Sequence, residues 1–161
     1  IPLEISNLGE LIGIRGVCFS QRLPDWITKD IIRSCEDTLA PIADVEFDIQ
    51  RTDGDSRGAG IVLVAEFENG MLGSNALTSR GHTAEKAGED AANDLLREIT
   101  SGATMDVHTA DQLLPNSVFC SADMNICSSN SSPTLIPYST IASAWSSKTL
   151  SSPIVALKRF G

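Results

Sequence analysis

No apolar run in the chain approaches the roughly 18 residues needed to cross a bilayer. The first ten residues, IPLEISNLGE, have neither the basic start nor the apolar core of a signal peptide. Both absences point to a cytoplasmic or nuclear protein with no membrane partner. There is no initiator Met, so a fragment or a trimmed chain is expected. Four cysteines, Cys18, Cys35, Cys120 and Cys127, include no C-x-x-C pair, and neither histidine lies beside one. That argues against zinc and for buried or reduced structural thiols. A Cys120–Cys127 bridge would need an oxidising compartment. Positive charge is scarce: 12 Lys and Arg against 21 Asp and Glu leave a net charge of −9 and a pI near 4.5. The cations are scattered, with Lys158-Arg159 the only adjacent pair. Nothing in the sequence resembles the basic face by which nucleic-acid binders neutralise phosphate. If the protein handles RNA, other residues must supply the positive charge.

A chain of 161 residues, 42% hydrophobic with mean hydropathy of +0.01, can bury a real core and fits one or two small domains. Its most informative stretch runs from Arg80 to Leu114. Thr83 is placed to cap a helix, with Glu85 near the positive end of the helix dipole. Ala84, Ala87, Gly88, Ala91, Ala92, Leu95 and Ile99 then recur at three- and four-residue spacing as one apolar stripe. Gly102 supplies the stop. Small residues at the start of the stripe allow close approach to a sheet. Glu85, Lys86, Glu89 and Asp90 read as a solvated face.

Upstream, residues 10–19 read as a strand. Asp25 is a cap candidate for a helix over 26–39, where Ile27, Ile31, Cys35 and Leu39 fall at four-residue steps and Pro41 ends the run. Residues 45–50, VEFDIQ, alternate as a strand with one wet face, the pattern of an antiparallel sheet covered on one side. The polar loop 52–60 contains Gly58-x-Gly60, a weak phosphate-cradle signal because a strand follows it and no helix does. Residues 61–67 suit a central strand, Asn69-Gly70 signals a type I′ hairpin, and 71–78 form the return strand. The order β-α-β-β-β-α predicts an α+β two-layer sandwich: a four-stranded, mainly antiparallel sheet with two helices on one face, followed by a partial α/β repeat.

Beyond Pro115 the character changes. From Asn116 to Ser152, 15 of 37 residues are Ser or Thr, and no periodicity lasts two helical turns. That region reads as weakly structured or held by contacts outside the chain. Residues 154–160 suit a terminal strand or a helical turn.

The run R-G-x-x-A-E-K-x-G-x-x-A-A-x-x-L-L, starting at Arg80, is followed by a glycine turn and then by D-x-H-x-A-D-Q-L, starting at Asp106. With GIVLVAEFENG and LGELIGIRGV upstream, it resembles the RNA 3'-terminal phosphate cyclase family over about residues 8–115. The resemblance implies an ATP-dependent, ligase-class RNA-processing enzyme using a divalent metal, Mg or Mn. Such an enzyme adenylylates a histidine, passes AMP to an RNA 3'-phosphate, and lets the neighbouring 2'-hydroxyl close a 2',3'-cyclic phosphodiester. It also implies that residues 9–101 are the family's inserted α/β domain and 102–161 a partial last repeat of the main domain with a divergent Ser/Thr-rich tail. The N-terminal repeats would then be missing.

Under the same resemblance His108, Thr109, Ala110, Asp111 and Gln112 match the ATP-binding segment. Asp and Gln suit ribose hydroxyls or adenine edges, and amides at a helix start suit phosphate. On spacing alone, Asp111 and Gln112 read simply as helix-capping and solubilising residues. No residue is assigned to a metal. The family's nucleophilic histidine sits in an H-x-x-T-N-like motif downstream, and here no histidine follows His108. The nearest match is WSSKTL, where Ser146 stands near the histidine's place and Thr149 keeps the threonine. Serine forms no phosphoramidate and is not activated without a base, so the chain is expected to be inactive alone. The alternative is a non-catalytic cyclase-like interaction module in RNA processing or ribosome assembly.

Overall fold

The structure, a computed structural model, describes residues 7–110, Gln112, and the segments 124–126 and 134–136. It divides into a unit of Leu8–Thr100 and a second formed by Ile1–Asn7 with Ser101–Gly161. In the first unit the chain runs β1 (Leu11–Gln21), α1 (Asp25–Leu39), β2 (Val45–Thr52), β3 (Gly58–Phe67), β4 (Gly70–Leu77) and α2 (Ala84–Thr100). The sheet order is β2-β1-β3-β4. β3 is antiparallel to both β1 and β4, while β2 is parallel to β1. The expected α+β sandwich with a mainly antiparallel sheet is therefore the fold.

Pairing puts Ile14, Gly16 and Cys18 of β1 on one face with Val45, Phe47 and Ile49 of β2, Ala65, Leu63 and Ile61 of β3, and Leu72, Ser74 and Ala76 of β4. Both helices cover this face. The Ser74 hydroxyl donates to the Ala91 carbonyl of α2 at 2.7 Å, and the Cys18 thiol reaches the Thr28 carbonyl of α1 at 4.0 Å. Ile14, Ile31, Leu39, Ile61, Leu63, Leu72 and Leu95 are fully buried there. Cys18 and Cys35 belong to the same core, where burial pushes their thiols up to about 11 and about 12. They are protonated, structural thiols at neutral pH. Cys120 and Cys127 lie outside the described residues.

α2 follows its sequence signals. The amide of Lys86 donates to Thr83 Oγ1 at 3.3 Å, and Gly102 ends the run at φ +68. Its stripe is buried, but Glu98 is buried beside Leu95 while Ile99 is only half-buried. The small residues serve a second purpose besides approach to the sheet. A Cβ on Gly88 would overlap the Ile31 carbonyl and sit 3.2 Å from the Cys35 amide nitrogen, so Gly88 seats α2 against the backbone of α1. The Ser34 hydroxyl, donating to the Glu85 carbonyl at 2.8 Å, ties the same crossing.

Four local expectations are corrected. Asp25 is the first residue of α1 and not its cap. Pro24 holds the cap position, extended at φ −62 and ψ 153 with no side-chain bond, because its ring pre-sets that conformation. β2 is the parallel member of the sheet, because α1 carries the chain back to the end from which β1 started. Asn69-Gly70 forms no type I′ turn: Phe67 pairs with Gly70, the turn residues are Glu68 and Asn69, and neither has positive φ. The incoming chain decides this, since Glu68 and Asn69 donate their amides to the carbonyls of Glu10 and Leu8 at 3.2 and 2.9 Å. Gly70 instead makes room for Leu8, whose Cδ2 would lie 2.7 Å from an added Cβ. Gly58-x-Gly60 opens β3 and is no loop. A Cβ on Gly60 would meet Phe19 and Leu77 at 2.7 and 2.6 Å, so Gly60 allows packing and cradles nothing.

In the second unit two three-residue strands, β5 (Met124–Ile126) and β6 (Thr134–Ile136), pair antiparallel. Part of the Ser/Thr-rich region expected to be weakly structured thus forms a ladder. Ser146, Thr149 and residues 154–160 lie outside the described residues.

Candidate functional site

The HTADQ run opens a helix, residues 107–110 being helical. Its start is fixed by a residue just upstream. Thr109 donates its amide to Asp106 Oδ1 and its hydroxyl to Oδ2, both at 2.9 Å, and the Ala110 amide reaches the Asp106 carbonyl at 3.0 Å. Asp106 is the N-cap and is itself buried. Asp three positions before a helical Thr is the ordinary cap spacing, a signal present in the sequence and not read from it.

This arrangement decides what each residue of the run can do. Ala110 is buried, so it packs and presents no functional group. His108, Thr109 and Gln112 are exposed. His108 and Gln112, four apart, share one helical face. Asp111 lies outside the described residues. The first-turn amide of Thr109, which would suit a phosphate, is already held by the Asp106 carboxylate, whose negative charge sits where a phosphate would bind. What the run still offers a nucleotide is side-chain chemistry suited to a base or ribose. Among the described residues no group of three or more His, Cys, Asp or Glu side chains could hold a metal ion. These residues do not make a divalent-metal site, and no step is assigned to one.

Asp106→Ala should therefore cost the helix start about 1 kcal/mol. Amide hydrogen exchange at Thr109 and Ala110 is expected to speed up about fivefold. Unchanged exchange would show that Asp106 does not set this helix.

The second histidine has a structural setting in the first unit. His82 Nε2 lies 3.1 Å from Asp90 Oδ2 without the alignment of a hydrogen bond, and Asp90 Oδ1 takes Lys86 Nζ at 2.9 Å. Lys86 also stands 3.6 Å from Glu89, and these carboxylates raise its pKa, the Asp90 hydrogen bond most. Glu85, Lys86 and Glu89 are exposed and Asp90 is partly so. Lys86, Glu89 and Asp90 form ion pairs on that face of the kind worth little individually.

One grouping went unseen in the sequence. Register places Gln21, Thr52 and Gly58 at one end of the sheet, and the Thr78 amide reaches the Ala59 carbonyl there at 2.9 Å. One exposed arginine thereby stands at that end of each strand: Arg51 in β2, Arg22 just after β1, Arg57 just before β3 and Arg80 after β4. Arg51 pairs with Asp25 at 3.1 Å, beside Trp26, which is 57% exposed. Arg22 stands at φ +52, the only described residue other than glycine in the left-handed region. Acidic residues dominate the opposite end, where Glu10, Asp44, Glu46, Glu66 and Glu68 gather.

Comparison with known proteins supplies a second line of evidence. A family model described as the RNA 3'-terminal phosphate cyclase insert domain matches residues 6–100. The chain is similar to RNA 3'-terminal phosphate cyclases of Caldivirga maquilingensis (37% identity over 121 residues, 71% of this chain and 34% of that protein). It also resembles those of Ignicoccus hospitalis (32% over 114 residues, 66% and 32%) and Sulfurisphaera tokodaii (37% over 114 residues, 69% and 34%). The chain spans about a third of the length of these curated relatives.

Proposed function

The chain belongs to the RNA 3'-terminal phosphate cyclase family, and from that premise we propose that it is the insert domain and the following segment of an ATP-dependent enzyme. Its substrate would be RNA ending in a 3'-phosphate, converted to a 2',3'-cyclic phosphate in the cytoplasm or nucleus. The observation that carries this reading is the family match across residues 6–100, joined in the same chain to the D-x-H-x-A-D-Q-L run. ATP would supply the adenylyl group, with Mg or Mn bound by residues other than those described here.

In this reading His108, Asp111 and Gln112 form one wall of the nucleotide pocket and meet the ribose or adenine. Thr109 and Ala110 hold the helix, and Asp106 keeps the triphosphate away from its first turn. Within these 161 residues no histidine follows His108, and neither His82 nor His108 is assigned as nucleophile. Incubation with α-labelled ATP and Mg²⁺ is expected to leave no covalent AMP on this chain. An adduct on His82 or His108 would overturn the assignment.

The net charge of −9, unlike that of a phosphate-binding surface, favours a second reading, a non-catalytic module of the same family in RNA processing or ribosome assembly. Calorimetry with ATP on the full-length protein separates the two. Measurable binding, weakened at least tenfold by Asp111→Ala with Gln112→Ala, supports the enzyme. No binding supports the module.

A further inference from the structure

We propose that the arginine-bearing end of the Leu8–Thr100 sheet is a binding surface for single-stranded RNA, with Arg22, Arg51, Arg57 and Arg80 taking successive phosphates and Trp26 stacking on a base. The choice of RNA as partner rests on the family's RNA chemistry. The surface itself rests on its own geometry.

Neighbouring strands lie about 4.8 Å apart, so four strand ends in the order Arg51, Arg22, Arg57, Arg80 make a row about 14 Å long. Arg22, Arg57 and Arg80 are exposed and make no ion pair or side-chain hydrogen bond among the described residues. All four cations are arginines, whose planar fork grips phosphate oxygens in pairs. Trp26, 57% exposed, follows in α1 the Asp25 that pairs with Arg51 and gives a flat aromatic surface at this end, and base stacking on such a surface is tolerant of sequence. Asp25, Asp53 and Asp55 stand among the four arginines, so this end is slightly positive while the opposite end is strongly negative. The resulting gradient orients an approaching polyanion toward the arginines. An acidic peptide could meet the charges but has no base for Trp26.

The test uses the 161-residue chain and a short, unstructured, fluorescein-labelled oligouridylate, read by anisotropy across a salt series. Each phosphate contact to a single strand adds about 0.7 to the slope of log K against log salt. The combined Arg22→Ala, Arg57→Ala and Arg80→Ala variant should lower that slope by about 2 and weaken binding about a hundredfold near 0.1 M salt. Arg51 stays in place because it is already paired with Asp25. Trp26→Ala should weaken binding about tenfold with the slope unchanged. Arg33→Ala, exposed on α1 away from the row, should bind as the parent does. Thermal unfolding confirms that each variant is folded.

The proposal falls if the parent chain binds no RNA, if the triple variant keeps its affinity, if Trp26→Ala is neutral, or if polyglutamate competes as well as RNA. Oligonucleotides ending in 3'-hydroxyl and 3'-phosphate should bind alike. Failure of the ATP chemistry would leave this salt slope untouched, so the two readings stand or fall separately.

Discussion

Gly88→Ala is expected to lower the unfolding free energy by about 2 kcal/mol, although the same change on an exposed helix would raise it. Alanine is favoured over glycine by about 1 kcal/mol in a helix interior. Here the added methyl would overlap the Ile31 carbonyl and press on the Cys35 amide. Both are backbone atoms of α1, which cannot rotate away as a side chain can. Overpacking of a tight contact costs about 1–3 kcal/mol, and a backbone obstacle puts this site at or above the upper end. Gly88→Leu should cost more than about 4 kcal/mol, enough to unfold a domain of ordinary stability in much of the population. Separation of the helices would also weaken the 2.8 Å bond from Ser34 to Glu85. Urea midpoints measure the effect. A more stable Gly88→Ala protein would mean that α1 and α2 do not cross this closely.

Leu63→Ala should cost about 3 kcal/mol, the usual loss for a fully buried leucine. Leu63 pairs with Gly16 on β1 and Ser74 on β4, at the centre of the helix-covered face. Gly16 has no side chain of its own, and the space above it is filled by the Phe47 ring and by Leu63, whose Cδ2 would lie 3.1 Å from an added Cβ. Truncating Leu63 therefore opens a cavity at the centre of the sheet. Val62, the next residue, points to the other face and is 40% exposed. Val62→Ala should cost less than about 1 kcal/mol. Equal losses at the two positions would contradict the assignment of the covered face.

The elements of the first unit were legible because their signals are local. The i, i+3, i+4 stripe of α2, its Thr83 cap and its Gly102 stop all act within a few residues, as does the alternation of β2. The HTADQ run was legible only as a family motif. Its chemistry shifted once Asp106 proved to cap the helix and to occupy the amide that a phosphate would need. Asp106 carries a cap spacing like that of Thr83, three residues before the amide it holds.

Element order, the two-layer class and the family follow from the residues alone, since apolar periodicity, caps and motif residues are properties of neighbouring positions. Tertiary structure alone decided three things. It made β2 parallel, because α1 must return the chain across the sheet. It turned Gly88 toward the α1 backbone, because two helices on one face have to share limited width. It brought Arg51, Arg22, Arg57 and Arg80 into one row, because strand pairing aligns residues whose separation along the chain carries no charge pattern. A net charge of −9 hides such a row, since a sum over the chain discards where each charge stands.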